Sequence, residues 1–248
     1  MIRVENVHKK YGGQKVLNGI GFDIKTGSVT TIIGGSGAGK SVLIRLLIGL
    51  EQPDLGAIFI DGENIVGMGA AKLNQIRRRF GVLFQDGALF DSLTVRENVA
   101  FPVREHLRLR EKEVERIVQA KLNKVGMSGQ EDKYPAELSG GMRKRVGLAR
   151  ALALEPDIVF FDEPTTGLDP IIRGLIFRLI VSTHMDRTTT YVVVSHDIQG
   201  VMTISDEIML LFNGRIAAQG TPQEISESSD PLIQQFITGS PTGPISVE

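Results

Sequence analysis

No cysteine occurs among the 248 residues, which excludes disulfides, thiolate metal sites and cysteine nucleophiles. Net charge is almost absent too. The 28 Lys+Arg against 29 Asp+Glu leave −1 at pH 7, so there is no general electrostatic pull toward nucleic acid or anionic membrane. The opening stretch MIRVENVHKKY lacks the charged-then-apolar pattern of a secretory signal. No apolar run reaches the ~18 residues of a membrane span; the richest, residues 43–50, is broken by Arg45 and Gly49. Internal repeats and low-complexity blocks are missing as well. Together these absences predict a cytosolic chain, or one held at a membrane only through a partner. What is present is ordinary for a globular protein: 42% hydrophobic and 23% charged residues, in a length that suits one large domain or two small ones.

Residues 2–11 and 19–25 read as strands around Gly12-Gly13, and 29–33 is a short β-branched run that ends in glycine before a helical pattern over 40–50. Residues 57–60 and 80–84 are further apolar strands. From 86 to 156 the character turns helical: Val114, Ile117, Val118, Leu122 and Val125 fall at helical spacing, and 142–154 forms a second helix. Strand patterns return at 158–161, 191–194 and 207–212, with one face of a helix between the first two marked by Ile171, Ile172, Leu175, Ile176, Leu179 and Ile180. Continuous apolar strands such as Val192-Val193-Val194 are what buried parallel strands look like. The pattern is an α/β core with a mostly β start and a helical insertion. We expect core segments 1–85 and 157–238, a helical subdomain 86–156, and an extended tail 239–248 with two prolines and two glycines.

Three motifs carry chemistry. Gly34, Gly35, Ser36, Gly37, Ala38, Gly39, Lys40 and Ser41 form a complete P-loop between strand and helix, with Val42 continuing into that helix. Glycines let several backbone N–H groups converge on one phosphate, and the helix adds its positive end. Lys40 would reach the β- and γ-phosphates, and the Ser41 hydroxyl would bind Mg²⁺. Asp162 and Glu163 end an apolar strand, the end at which open α/β sheets bind ligands. Asp162 would hold the Mg²⁺ shell and Glu163 would act on water as general base. The third motif, Leu138-Ser139-Gly140-Gly141-Met142, reads alone as a serine-capped helix start. Beside the other two it reads as a second phosphate-binding helix terminus, its glycines admitting a phosphate.

On these motifs the chain resembles the nucleotide-binding subunits of ABC transporters over essentially its full length. The resemblance implies a P-loop NTPase core with an N-terminal antiparallel β subdomain and an inserted α-helical subdomain. It implies two copies docked head to tail, each ATP lying between the P-loop of one and the LSGG of the other. It further implies that Tyr11 stacks on adenine, that Gln85 contacts Mg²⁺ and water and links to a membrane partner, that Asp169 lies in a loop crossing the dimer interface, and that His196 contacts the γ-phosphate. His8, His106 and His184 lack such context and are expected at the surface.

Within the family, Met142 stands where most members have glutamine, and residues 85–90 read Gln-Asp-Gly-Ala-Leu-Phe. These resemble the ATPases of Mce-type lipid transporters such as the Mla system. That implies a polytopic permease in the cytoplasmic membrane, an Mce-domain protein and a small STAS-domain protein as partners, a phospholipid or related lipid as cargo, and no nucleic acid. The ATPase of a polar-solute importer, or of a soluble cofactor-assembly system, remains open. Leu89, Phe90, Leu93 and Phe101 cluster near a turn; this is either a loop with exposed apolar residues or a groove for a permease helix, and we expect the groove. The tail from Gly239 is either disordered or clamps a neighbouring subunit, and the resemblance favours the clamp.

Overall fold

The computed structural model describes residues 1–184 and 188–245. In chain order the elements are β1 (Ile2–Tyr11), β2 (Gln14–Ile24), β3 (Val29–Ile33), α1 (Lys40–Leu47), β4 (Leu55–Ile60), β5 (Glu63–Asn64), α2 (Ala70–Arg77), β6 (Phe80–Leu83), α3 (Val95–His106), α4 (Glu111–Lys124), α5 (Gly140–Ala151), β7 (Ile158–Asp162), α6 (Pro170–Thr183), β8 (Thr190–Ser195), α7 (Ile198–Ile204), β9 (Glu207–Phe212), β10 (Arg215–Gly220), α8 (Pro222–Ser226) and α9 (Pro231–Thr238). The chain divides into two compact units, Met1–Met68 with Val192–Glu248, and Gly69–Tyr191.

In the first unit a four-stranded antiparallel sheet has the order β2-β1-β4-β5, with Ile2 paired to both Ile24 and Ile60. One face of β1 and β2 is buried through Ile2, Val4, Leu17, Ile20 and Ile24, the alternation expected of a sheet covered on one side. β2 begins five residues before the expected 19–25 strand because Gly19, at φ 74, accommodates the irregular β1–β2 register that a bulky residue would resist. A second sheet runs β10-β9-β3-β8. β3 is wholly buried and pairs in parallel with β9. β9 and β10 form a hairpin across Asn213-Gly214, both at positive φ, which suits a two-residue turn of the primed type.

In the second unit the order is β8-β7-β6, the chain dividing after Tyr191 within β8. β6 and β7 are parallel, Phe80 opposite Ile158 and Leu83 opposite Phe161. The helices α3, α4 and α5 pack on one another through buried Val95, Val99, Val103, Val114, Val118, Leu122 and Val146. α3 occupies part of the stretch expected as a loop or groove. Thr94 and Glu97 form a reciprocal capping box at its start, satisfying N-terminal N–H groups the helix leaves open, while Pro102 is accommodated inside it. Among the described residues no helix is long and apolar enough to cross a membrane.

Candidate nucleotide site

The P-loop follows from its glycines one by one. β3 ends in the sheet, and at Gly34 an added Cβ would lie 2.5 Å from the Leu211 carbonyl oxygen, so packing alone forbids a side chain. Gly39 caps α1 at φ 101, in the left-handed region, with Leu17 and Val16 closing the space around it. By contrast, nothing lies within 4 Å of a Cβ added at Gly35 or Gly37. No side chain caps α1, leaving its first turn as an array of donors of the kind that anions seek. Lys40 is buried and folds over the loop, its Nζ donating to the carbonyl oxygens of Gly34 (2.8 Å) and Gly35 (3.0 Å).

Two further expected residues lie in the same unit. Tyr11 ends β1 and is 42% exposed, so its ring is no core filler. Its hydroxyl donates to the Glu51 carboxylate, which also accepts from Arg45 Nε at 2.6 Å, and the Lys9 ammonium sits 5.3 Å from the ring centroid. An exposed aromatic pinned at its polar end presents a face for stacking. His196 follows β8 directly and is exposed.

The second unit holds the other expected residues. Asp162 is the last residue of β7, and Glu163, buried, follows at φ 51. A non-glycine residue in the left-handed region is strained, and such strain persists only where the surroundings fix it. Here they do. Thr166 Oγ1 donates to Glu163 Oε2 at 3.2 Å, and Lys144 Nζ, from α5, donates to the carbonyls of Glu163 (3.3 Å) and Thr166 (2.7 Å). Burial pulls the Lys144 ammonium below its ordinary pKa, while Asp86 and Glu163 act the other way.

Gln85 is exposed just beyond β6. The turn after it is held by Arg150, whose guanidinium donates to the carbonyls of Ala88 (2.8 Å) and Gly87 (3.0 Å). Ser139 caps α5, its hydroxyl accepting from Met142 N at 3.3 Å, and Asp169 caps α6, accepting from the N–H groups of Ile171 and Ile172. Gly140 has ordinary clearance. At Gly141 an added Cβ would sit 2.6 Å from Ile172 Cγ2, so α5–α6 packing demands that glycine whether or not a phosphate approaches.

Phe90 packs on Phe101 at 4.8 Å between ring centroids. Both line an apolar cavity of about 320 Å³ with Phe80, Phe84, Pro102 and Arg150. Asn98, fully buried, shapes its rim by bonding Phe90 N and the carbonyls of Phe90, Leu93 and Thr94.

A family description, ABC transporter, matches residues 17–166. The chain is 41% identical over 245 residues to the intermembrane phospholipid transport system ATP-binding protein MlaF of Escherichia coli K12, covering 99% of this chain and 91% of that one. The chain belongs to the ABC transporter family. A "probable ribonucleotide transport ATP-binding protein mkl" of Mycobacterium leprae is 42% identical over 244 residues, 98% of this chain and 70% of that protein. Among solved structures, a dimeric ATP-binding cassette in a post-hydrolysis state with ADP and Pi superposes with a TM-score of 0.83 at 30% identity, covering 90% of this chain and 99% of that one. The protein cbiO1 of Clostridium perfringens, part of an ABC transporter complex, matches with the same TM-score at 32% identity, covering 94% of this chain and 93% of its own.

As an ABC ATPase the chain binds and hydrolyses ATP as the energy-supplying subunit of a transporter. Its fold is the expected P-loop NTPase core with an antiparallel β subdomain and a helical insertion. One histidine departs from expectation. His184 is buried, with Nε2 2.8 Å from the Thr189 carbonyl and its ring 4.6 Å from that of Tyr191; the aromatic contact and that bond compensate its burial. His106 is exposed as expected, and His8 is half-buried beside Asn6. The tail also departs from an extended form. Gln235 of α9 is buried and pairs with both the N–H and the carbonyl of Ile245 (2.6 and 3.0 Å), so residues 239–245 fold back on their own helix. Residues 246–248, expected in the same tail, lie outside the described residues. Sequence reasoning missed Lys144, Thr166, Arg150 and Asn98, whose types carry no motif and whose roles arise from their backbone and carboxylate partners.

Proposed function

We propose that this ATPase powers the movement of a phospholipid or related lipid, working with an Mce-type permease complex on the cytoplasmic face of the cell membrane. The observation that carries this reading is the two-way coverage with the MlaF proteins. Those of Escherichia coli and Haemophilus influenzae are named for intermembrane phospholipid transport, and the match spans 99% of this chain and 91–93% of theirs at 40–41% identity. Met142 and the segment 85–90 support it. Partners on this reading are a second copy of the chain, a polytopic permease, an Mce-domain protein and a STAS-domain protein, and no nucleic acid. The apolar cavity lined by Phe80, Phe90 and Phe101 supports docking of a permease helix, since exposed apolar surface of this kind suits an amphipathic partner.

The residues divide the work as phosphoryl transfer requires, by positioning and charge neutralisation. Lys40 exchanges the carbonyls of Gly34 and Gly35 for β- and γ-phosphate oxygens, and Gly35, Gly37 and the α1 terminus offer N–H groups without a steric barrier. Ser41, Gln85 and Asp162 provide a hydroxyl, an amide and one carboxylate. As hard oxygen donors they fit Mg²⁺, which keeps waters and phosphate oxygens as ligands. When bound, the ion neutralises phosphate charge. Glu163 orients the attacking water and accepts its proton, His196 contacts the γ-phosphate, and Tyr11 stacks on adenine. Ser139, Gly140 and Gly141 act on ATP held by the second copy, with Asp169 at the crossing.

The name of the mycobacterial relative favours a second reading, an importer of a polar solute. One experiment separates the two. The complex purified with its permease is extracted and its lipids quantified, and ATP turnover is measured with phospholipid vesicles or with ribonucleotides added. Co-purified phospholipid in stoichiometric amount and stimulation by vesicles are expected. Stimulation by ribonucleotides without bound lipid would overturn the lipid reading.

A further inference from the structure

Three segments of the second unit meet at one ammonium group. Lys144 lies in the second turn of α5, the helix that Ser139 caps, and its residue surface is only 4% exposed. Its Nζ spans the turn after β7, donating to the carbonyl oxygens of Glu163 and Thr166 at 3.3 and 2.7 Å. Thr166 then donates its hydroxyl to Glu163 Oε2 at 3.2 Å, and its own N–H bonds the Glu163 carbonyl at 3.3 Å. Asp86, next to Gln85, interacts electrostatically with the same ammonium. A buried charge persists only when its donors are used, and lysine offers three donors and no acceptor on a long stem. Two carbonyls facing one point call for such a group. Glutamine would bring an acceptor into the same place.

We propose that Lys144 is a positioning residue for hydrolysis: through the Glu163 and Thr166 carbonyls it fixes the strained 163–166 turn to α5, and through Thr166 it sets the direction of the Glu163 carboxylate. Glu163 sits at φ 51, a conformation that relaxes once its restraints are removed. The restraint comes from α5, so the helix terminus that meets a nucleotide and the residue that activates water move as one piece. Releasing Lys144 lets the carboxylate wander without touching the P-loop. Turnover is then lost while ATP binding is kept, the signature of an interaction used in the transition state and not in the ground state. This inference rests on Glu163 being the general base.

The experiment compares full-length Lys144→Met, Lys144→Arg and Thr166→Val with Glu163→Gln, each in complex with the permease. It measures kcat and KM for ATP, the affinity for a fluorescent ATP analogue, and the melting temperature. A displaced carboxylate lowers kcat of Lys144→Met by about 100-fold, with KM and analogue affinity within about twofold of the parent. Lys144→Arg restores part of kcat, since it keeps charge and donors. Thr166→Val, which removes the link to Oε2 without emptying the buried site, lowers kcat by about tenfold and guards against a Lys144→Met chain that fails to fold. Glu163→Gln that retains turnover removes the general-base reading. Glu163→Gln that is inactive beside Lys144→Met and Thr166→Val with parental kcat, or with raised KM and parental kcat, overturns the present inference alone.

Discussion

Two helix N-termini in this chain are rich in glycine and serine, and they are built in opposite ways. At α1 no side chain caps the helix, the loop glycines 35 and 37 have open space around them, and Lys40 closes over the carbonyls. At α5 Ser139 caps the helix, and Ile172 already fills the space that a side chain at Gly141 would take. An uncapped terminus places no side chain of its own over its first N–H groups, where an anion would meet the need for acceptors. A capped one has met part of that need from its own chain. The α1 terminus is therefore the one left open to an anion, whereas the α5 terminus is capped by its own chain. That asymmetry fits ATP being held by one copy and completed by another.

The largest effects come from removing the charge at the first terminus and the carboxylate of Glu163. Lys40→Ala should lower ATP turnover by about 10²- to 10³-fold, the usual effect of losing one transition-state donor, and weaken analogue binding as well. Glu163→Gln should lose turnover on a scale of about 10²- to 10⁴-fold while binding ATP normally. Steady-state kinetics with analogue titration checks both. A Lys40→Ala chain that binds ATP like the parent would erase the contrast between the termini.

A smaller test separates packing from phosphate access at the glycines. Gly35→Ala meets nothing within 4 Å, so its stability should stay within about 0.5 kcal/mol of the parent while ATP affinity falls, because the new methyl occupies ligand space. Gly141→Ala should destabilise by about 1–3 kcal/mol through overpacking against Ile172. In an Ile172→Ala background that penalty should vanish, read as a restored denaturation midpoint, with turnover still low. Restored turnover would mean that Gly141 serves the α5–α6 contact and nothing else.

Much of this was legible in the sequence because the relevant signals are local. The P-loop is eight consecutive residues, β7 and β8 carry continuous apolar runs at 158–161 and 191–194, and β3 is a β-branched run that ends in the loop glycines. α3 was obscured because Pro102 argues against a helix and Phe90 and Phe101 against a solvated one; the Thr94-x-x-Glu97 capping box was the readable sign. β10 is an edge strand whose alternating half-buried and exposed residues include small Ala217 and Ala218, a weak β pattern. His184 carries no local signal, since its partners are the carbonyl of Thr189 and the ring of Tyr191, in and just before β8. The roles of Lys144 and Gly141 depend on residues 163, 166 and 172, and such distant partners leave no spacing to read.

The smallest effect is at Ser139, whose one hydroxyl oxygen caps α5 and, on the proposed reading, would also meet phosphate. Ser139→Ala removes both and should cost about 1 kcal/mol of stability. Ser139→Asp separates them. Aspartate caps a helix as well as serine does and favours its positive end, so the denaturation midpoint should match the parent. Its negative charge would nevertheless face the phosphate of ATP on the second copy, and like charges at close range oppose binding. We therefore expect Ser139→Asp to be stable, to bind ATP as a single copy with parental affinity, and to lose the concentration dependence of turnover that marks pairing of copies. If Ser139→Asp turns over ATP as the parent does, the α5 terminus is a capped helix start and no more, and the contrast with α1 is complete.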